Sequence, residues 1–289
     1  MNEEIKGYLQ KNYTPQTAKA YIREIEIFIT NNPNSKKYRY ADVVNYIGVL
    51  RSKYNNSKTI NRILSSIKAY YSYLCSTNQR KDNPTKAIKL RDKISRDIQL
   101  QDLFTPQELE ILLNRKERYT NLEHRNNVLM SLMIYQGLQP RELANIKLTD
   151  INLKEATIYI KATNNTNGRT LPLKANQILL FQFYQTEIRK KLLKEKETEK
   201  YLVGIRGNDF TEVDITSHLK HNYKTLFANR KVNAKTIRQS VITNLLKQNN
   251  DLRIVQSFAG HKYTSTTERY RQNDVELLQA AVNKYHPLQ

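Results

Sequence analysis

The sequence predicts a mainly α protein in two parts: a helical bundle, then a larger α+β domain with one small β-sheet. Three observations predict it. Apolar residues recur at three- and four-residue spacing along most of the chain. Only near residues 156–173 does the pattern change, to two short β-rich runs on either side of a turn-rich segment. The length of 289 residues exceeds one small core and suits two domains of ordinary size.

Thr14-Pro15 has the form of an N-cap with proline at the first helical position. Ala18, Tyr21, Ile22, Ile25 and Phe28 follow at helical spacing until Asn31-Asn-Pro33-Asn stops the run. A second amphipathic segment spans Ala41 to Tyr54, with Val44, Ile47 and Leu50 on one face. A third starts near Ser57 and runs through Ile60, Ile63, Leu64, Ile67 and Tyr71 to Leu74, and Arg80-Lys-Asp-Asn-Pro84 breaks it. Residues 1–90 therefore form a bundle. The charged stretch 91–104 lacks a full apolar stripe and is expected to link it to a second domain, 105–289. That domain opens at Thr105-Pro106-Gln-Glu108, a capped start with an acid in its first turn. A strongly apolar helix covers 121–136. Strands are expected at Ala156–Ile160 and Arg169–Leu173, and a charged helix at 175–198 whose end from Arg189 to Lys200 is read as a solvated face. A helix from Asn273 to Lys284 has an apolar face of Val275, Leu278, Ala281 and Val282.

Lys and Arg number 48 against 27 Asp and Glu, a net charge of +21. Solubility needs far less, so a polyanionic partner is expected, nucleic acid above all. The excess is shared, +11 over residues 1–95 and +10 over the rest. The single cysteine, Cys75, excludes a disulfide framework and a thiolate zinc site, and its helical setting suggests a buried structural thiol. His218-Leu-Lys-His221 has metal-like spacing but no third ligand nearby, which favours a basic DNA-facing helix. No metal or other cofactor is expected. No signal peptide or membrane-length apolar run is evident, so a cytoplasmic, membrane-free location is expected.

The densest motif is Ala259-Gly-His-Lys-Tyr-Thr-Ser-Thr-Thr-Glu-Arg-Tyr270, in which Tyr270 lies nine positions after His261. Lys235-Thr-Ile-Arg238 precedes it, followed by Ser240-Val-Ile-Thr-Asn-Leu-Leu246. Together they resemble the tyrosine recombinases, the phage-integrase family, whose signature is Gly-His, a short polar turn, a Thr-Thr pair and a nucleophilic tyrosine, with a His-x-x-Arg box upstream. The resemblance covers nearly the whole chain. It implies a helical core-binding domain, a linker and a catalytic domain, forming a C-shaped clamp on duplex DNA. The bundle starts almost at once, leaving no room for the arm-binding domain of lambda-type integrases, so the two-domain Cre and Xer layout is the nearer one.

The implied reaction cuts and rejoins DNA at specific sites through a 3′-phosphotyrosyl bond, which conserves the bond energy without ATP or metal. A tyrosine hydroxyl is a weak nucleophile at its usual pKa of about 10, so it needs cations around the phosphate, a base, and an acid for the departing 5′ oxygen. By resemblance Tyr270 is the nucleophile, while Arg238 and His261 hold the scissile phosphate. Lys235 replaces the box's histidine and can still donate to the phosphate. Lys161, at the base of the hairpin, is either the general acid or a solvated strand end. The first box departs most: the family's Gly-Leu-Arg-x-Ser-Glu-Leu reads Gly137-Leu-Gln139-Pro-Arg141-Glu142-Leu143 here. Gln139 stands where the first arginine belongs, and Arg141 is either a substitute cation or an ordinary salt-bridging residue. Glu142 and Asp150 keep the accessory acidic positions. The resemblance further implies inverted half-sites in double-stranded DNA, a homotetramer held by the C-terminal helix, and service to a mobile element. Three rivals remain: a type IB topoisomerase-like strand transferase, a recombinase-derived DNA-binding protein with little or no catalysis, and a basic structural or RNA-binding protein in which Tyr270 has no role.

Overall fold

The computed structural model describes residues 3–92, 102–224, 226–227 and 230–271. The chain divides into two compact units, Met1–Arg96 and Asp97–Gln289. The expected C-terminal helix at 273–284 and most of the linker, residues 93–101, lie outside the described residues.

The first unit has four helices, α1 (Glu3–Asn12), α2 (Pro15–Asn31), α3 (Tyr40–Lys53) and α4 (Ser57–Ser76). The Thr14 hydroxyl accepts the Thr17 N–H, so α2 starts at the cap and proline that the sequence marks. Its Phe28 is fully buried and meets the rings of Tyr38, Tyr46, Tyr70 and Tyr71 edge-on. Tyr71 donates its hydroxyl proton to the Ser35 carbonyl at 2.7 Å, which lets a polar ring fill the core. Three expectations need correction. Helix α1 was not foreseen, because only Ile5 and Leu9 mark its buried face. In α3 the inward residue is Val43, in register with Ile47 and Leu50, while Val44 is 40% exposed. Cys75 is half-buried, its thiol donating to the Asp82 carbonyl at 3.3 Å, since it sits on the rim of α4 where the chain turns back.

The second unit is built around α6 (Thr120–Tyr135), preceded by α5 (Pro106–Leu113). Val128, Leu129, Leu132 and Met133 of α6 are all fully buried, as its apolar sequence requires. Phe104, at the end of the expected linker, belongs to this core: it is buried, and its N–H donates to Ser240 Oγ at 2.8 Å. Helix α7 (Pro140–Leu143) leads to an antiparallel sheet in the order β1 (Ile151–Asn152), β2 (Thr157–Ile160), β3 (Arg169–Pro172). The register pairs Ile158 with Leu171 and Ile160 with Arg169 on the buried face, and Tyr159 with Thr170 on the exposed one. Arg169 is thereby turned into the protein, and Lys161, next along from Ile160, is exposed.

The expected helix 175–198 is shorter than its sequence pattern. It comprises α8 (Ala175–Phe183), one π turn (Tyr184–Ile188) and α9 (Arg189–Leu193), and Lys194 ends it with φ of 57°. Arg189 is not on a solvated face: it is buried, donating to the carbonyls of Thr198, Lys200 and Tyr201 at 2.6, 2.7 and 3.3 Å. The remaining helices are α10 (Glu212–Asn222), α11 (Ala234–Lys247), α12 (Leu252–Ala259) and α13 (Thr264–Glu268). No described helix is long and apolar enough to cross a membrane.

Candidate active site

Helix α11 supplies two of the candidate residues from its first turns. Asn233 caps it, accepting the N–H groups of Lys235 and Thr236 at 3.0 Å each. Lys235 and Arg238 then lie three residues apart and so share a face. Lys235 is exposed, and its ammonium has no ion pair or hydrogen bond to any described residue. Arg238 is buried, and its guanidinium donates to the carbonyls of Gly137 and Ala259. These contacts tie α11 to the two turns that carry Gln139 and His261.

Gly260 ends α12 in the left-handed conformation, φ 69°. A side chain there would meet more than a strained backbone, because a Cβ would lie 2.6 Å from Arg169 Nη1 and 3.0 Å from the Asn167 carbonyl. The turn continues into His261, which is buried. Its Nδ1 is hydrogen-bonded to Thr267 Oγ1 at 2.9 Å. Thr267 also accepts the Tyr270 N–H through its carbonyl at 2.9 Å. The second threonine of the Thr-Thr pair thus fixes both histidine and tyrosine. The two rings stack with centroids 5.8 Å apart and planes 19° apart.

The hairpin closes over this turn. Thr166 bridges to His261, and the Asn167 N–H donates to the Gly260 carbonyl at 2.8 Å. Beneath it Glu142, almost wholly buried, accepts Arg169 Nη1 and Nη2 at 2.7 and 3.2 Å and lies 3.7 Å from Arg238. The same carboxylate accepts the Gln139 N–H at 2.9 Å, capping α7. Two guanidiniums therefore share one carboxylate, leaving the neighbourhood net positive.

A cavity of about 620 Å³ opens here, lined by Gln139, Lys235, Arg238, His261 and Tyr270, with Asn165 and Thr166 from the hairpin. Arg141 and Lys161 do not line it. They face a second cavity of about 390 Å³ with Lys147 and Lys200. Of the accessory acids, Glu142 is the buried anchor, whereas Asp150 caps locally by accepting the Lys147 N–H at 2.8 Å. Arg169 is the residue whose importance the sequence reading missed. Its place in the strand was legible, but its burial follows from the β2–β3 register, which only the paired strands define.

Burial pushes the His261 imidazole down to about 4, helped by the nearby Arg238 and Arg169, so it is neutral at pH 7. Burial pushes the Tyr270 hydroxyl up, against the pull of Arg238 and Arg269, so this side chain rests as the phenol. His218 is not on an outward face: its ring packs between Phe210 and Tyr223, and burial lowers it to about 4. Among the described residues no group of three or more His, Cys, Asp or Glu is placed to hold a metal ion.

Comparison with known proteins gives a consistent set of likenesses. A family model described as the phage integrase family matches residues 102–276, and one for the phage integrase N-terminal SAM-like domain matches residues 6–78. A tyrosine recombinase XerC of Halalkalibacterium halodurans is 25% identical, with 96% of this chain and 94% of the relative covered. A tyrosine recombinase XerD of Listeria monocytogenes serotype 4b is 24% identical over 99% of both chains. Among solved structures, the Tn1549 transposon integrase in complex with a circular intermediate DNA superimposes with a TM-score of 0.70 at 15% identity, covering 97% of this chain and 98% of the other. A lambda integrase dimer bound to a core site gives a TM-score of 0.69 at 12% identity, covering 94% of each chain.

Proposed function

This chain belongs to the phage integrase family, and from that premise we propose that Tyr270 is the nucleophile with which it cuts and rejoins duplex DNA. It is a tyrosine-type site-specific recombinase. The observation that carries the assignment is the single cavity bringing Tyr270, His261, Arg238, Lys235 and Gln139 together from three separate stretches of sequence. In the proposed reaction the Tyr270 oxygen attacks the scissile phosphorus, the bond to the 5′ oxygen breaks, and a 3′-phosphotyrosyl ester forms. Attack by a 5′ hydroxyl reverses these steps on a new strand. Arg238 retains free N–H groups beyond its two carbonyl contacts, and the neutral His261 can give or take one hydrogen bond, so both can serve the nonbridging oxygens.

Proposals on the same footing are paired inverted half-sites, four protomers in the synapse, and service to a mobile element. The test is a nicked suicide duplex carrying the sequence that flanks the gene. A covalent protein–DNA adduct that disappears in Tyr270→Phe, with binding retained, is the expected result. Gln139 favours one second reading, because an amide brings no charge to a site that must stabilise a phosphorane. Specific binding with no adduct under any condition makes this a DNA-binding descendant of the recombinases.

A further inference from the structure

The first unit contains a cavity of about 230 Å³ that DNA strand transfer does not use. Ile5 of α1, Ile29 of α2 and Leu74 of α4 give it hydrocarbon walls. Ser35 and Tyr70 line it too, and both are buried, at 1% and 2% exposure. Their hydroxyls have no hydrogen-bond partner among the described residues. A buried hydroxyl is normally paired, and the other tyrosines nearby on α4 obey that rule. Tyr71 donates to the Ser35 carbonyl at 2.7 Å, and Tyr73 donates to the Glu4 carboxylate at 3.1 Å. Burial pushes the Tyr70 hydroxyl up and the nearby Ser35 side chain pulls it back, so the two converge as a phenol and an alcohol. They do so without completing a hydrogen bond to each other.

Size and polarity narrow what such a cavity takes. An apolar cavity of about 150 Å³ holds benzene, so this one has room for a somewhat larger ring. Filling it with water would need several molecules, each wanting two to four polar partners, and its buried end offers two hydroxyls against hydrocarbon. The charged residue in its lining is Lys36, which is exposed with Gln79 at the solvent end. With no charge at the buried end, a neutral guest is favoured over an ionised one.

We propose that this cavity binds a small neutral aromatic molecule with one polar edge, of the phenol or indole class. Its ring lies against Ile5, Ile29 and Leu74, and its polar atom meets the Ser35 and Tyr70 hydroxyls. Each hydroxyl can give or take a hydrogen bond, so a guest hydroxyl or ring N–H satisfies either. The guest touches α1, α2, α4 and the turn at 33–36 together, and so stabilises the first unit by mass action. No residue of the Tyr270 cavity takes part, so the proposal stands whether or not the chain transfers strands.

The test titrates the full chain with indole, phenol and toluene, following the thermal midpoint and the heat of binding. Indole and phenol are expected to bind saturably and raise the midpoint, and toluene, which lacks the polar atom, to bind more weakly than phenol. Tyr70→Phe and Ser35→Ala should each weaken indole binding by roughly 3- to 10-fold, the loss of one hydrogen bond. Without ligand both variants should melt at or above the wild-type midpoint, because the hydroxyl removed had no partner to lose. Amide NMR of the wild-type chain needs no variant to fold: indole should shift Ile5, Ser35, Lys36 and Gln79 and leave Gly260 and His261 in place. Absence of saturable binding overturns the proposal, as does indole binding that shifts only amides outside the first unit. Equal affinity for toluene and phenol, unchanged in both variants, also overturns it, since the hydroxyls would then select nothing.

Discussion

Gln139 puts an amide where the proposed phosphate site would need charge, and Arg141 lines a different cavity. Pro140 fixes Gln139 as an extended N-cap, so Gln139 faces the Tyr270 cavity while Arg141, two positions on, is exposed and lines the other one. Arg141→Ala is therefore expected to cleave at close to the wild-type rate. Gln139→Arg should accelerate cleavage, by up to the order of 10²–10³ that a preorganised donor can contribute. Single-turnover rates on the suicide duplex check both, and a silent Arg141→Ala variant removes Arg141 from the list of substitute cations. Titration is the second consequence at this scale. His261 and His218 are held at about 4 by burial, below the unfolded value of about 6.5, so the fold favours their neutral forms. Their contribution to stability is complete above pH 6.5 and lost as the pH falls toward 4. The loss stays below about 1.4 kcal/mol per pH unit per histidine, because neither ring is wholly shut off from water. Urea midpoints that fall between pH 7 and pH 5, less steeply in His218→Asn, are the expected result.

Elements were legible where local chemistry sets them and illegible where long-range contacts do. The caps at Thr14 and Thr105, each followed by proline, start helices as the sequence indicates. The hairpin strands are found within a residue or two of their expected ends. Val43 and Val44 are both β-branched and apolar, so only packing against the rest of the bundle decides which points inward. Arg189 resembles its charged neighbours, and its burial depends on carbonyls contributed by residues 198–201. The site shows the same division. Gly260, His261 and Tyr270 were readable from one contiguous motif, but the buried Arg169–Glu142 pair joins residues 27 apart and had no local signature. This pair and the Gly260 turn hold the hairpin against His261. Gly260→Ala is accordingly expected to cost on the order of 1–3 kcal/mol through its left-handed backbone. Cleavage should fall further than stability accounts for, since a Cβ would displace Arg169 and Asn167. A urea series together with cleavage rates at a temperature where the variant is folded checks this. Full activity in the folded variant would show that the pin does not set the site.

For the molecule as a whole, the charge is the property that bears most directly on DNA. The net excess is split almost evenly, +11 in residues 1–95 and +10 in the remainder, and each unit has its own apolar core. Neither unit needs so much charge for solubility, and in each the surplus repels itself until a polyanion neutralises it. The division leads to a quantitative expectation. Each phosphate neutralised releases counterions and contributes about −0.9 to the slope of log affinity against log salt. If both units engage one duplex and together neutralise on the order of ten phosphates, the slope is about −9. If only the second unit binds and the first has another role, roughly half the contacts are made and the slope is about −4 to −5. Fluorescence anisotropy with a single half-site duplex, from low salt to 0.3 M, distinguishes the two. The steeper value is expected, because the basic residues of the first unit have no comparable acidic complement to neutralise them: 18 basic side chains face 7 acidic ones over residues 1–95. The shallower slope would assign DNA binding to the second unit alone and leave the charge of the first to a different polyanion.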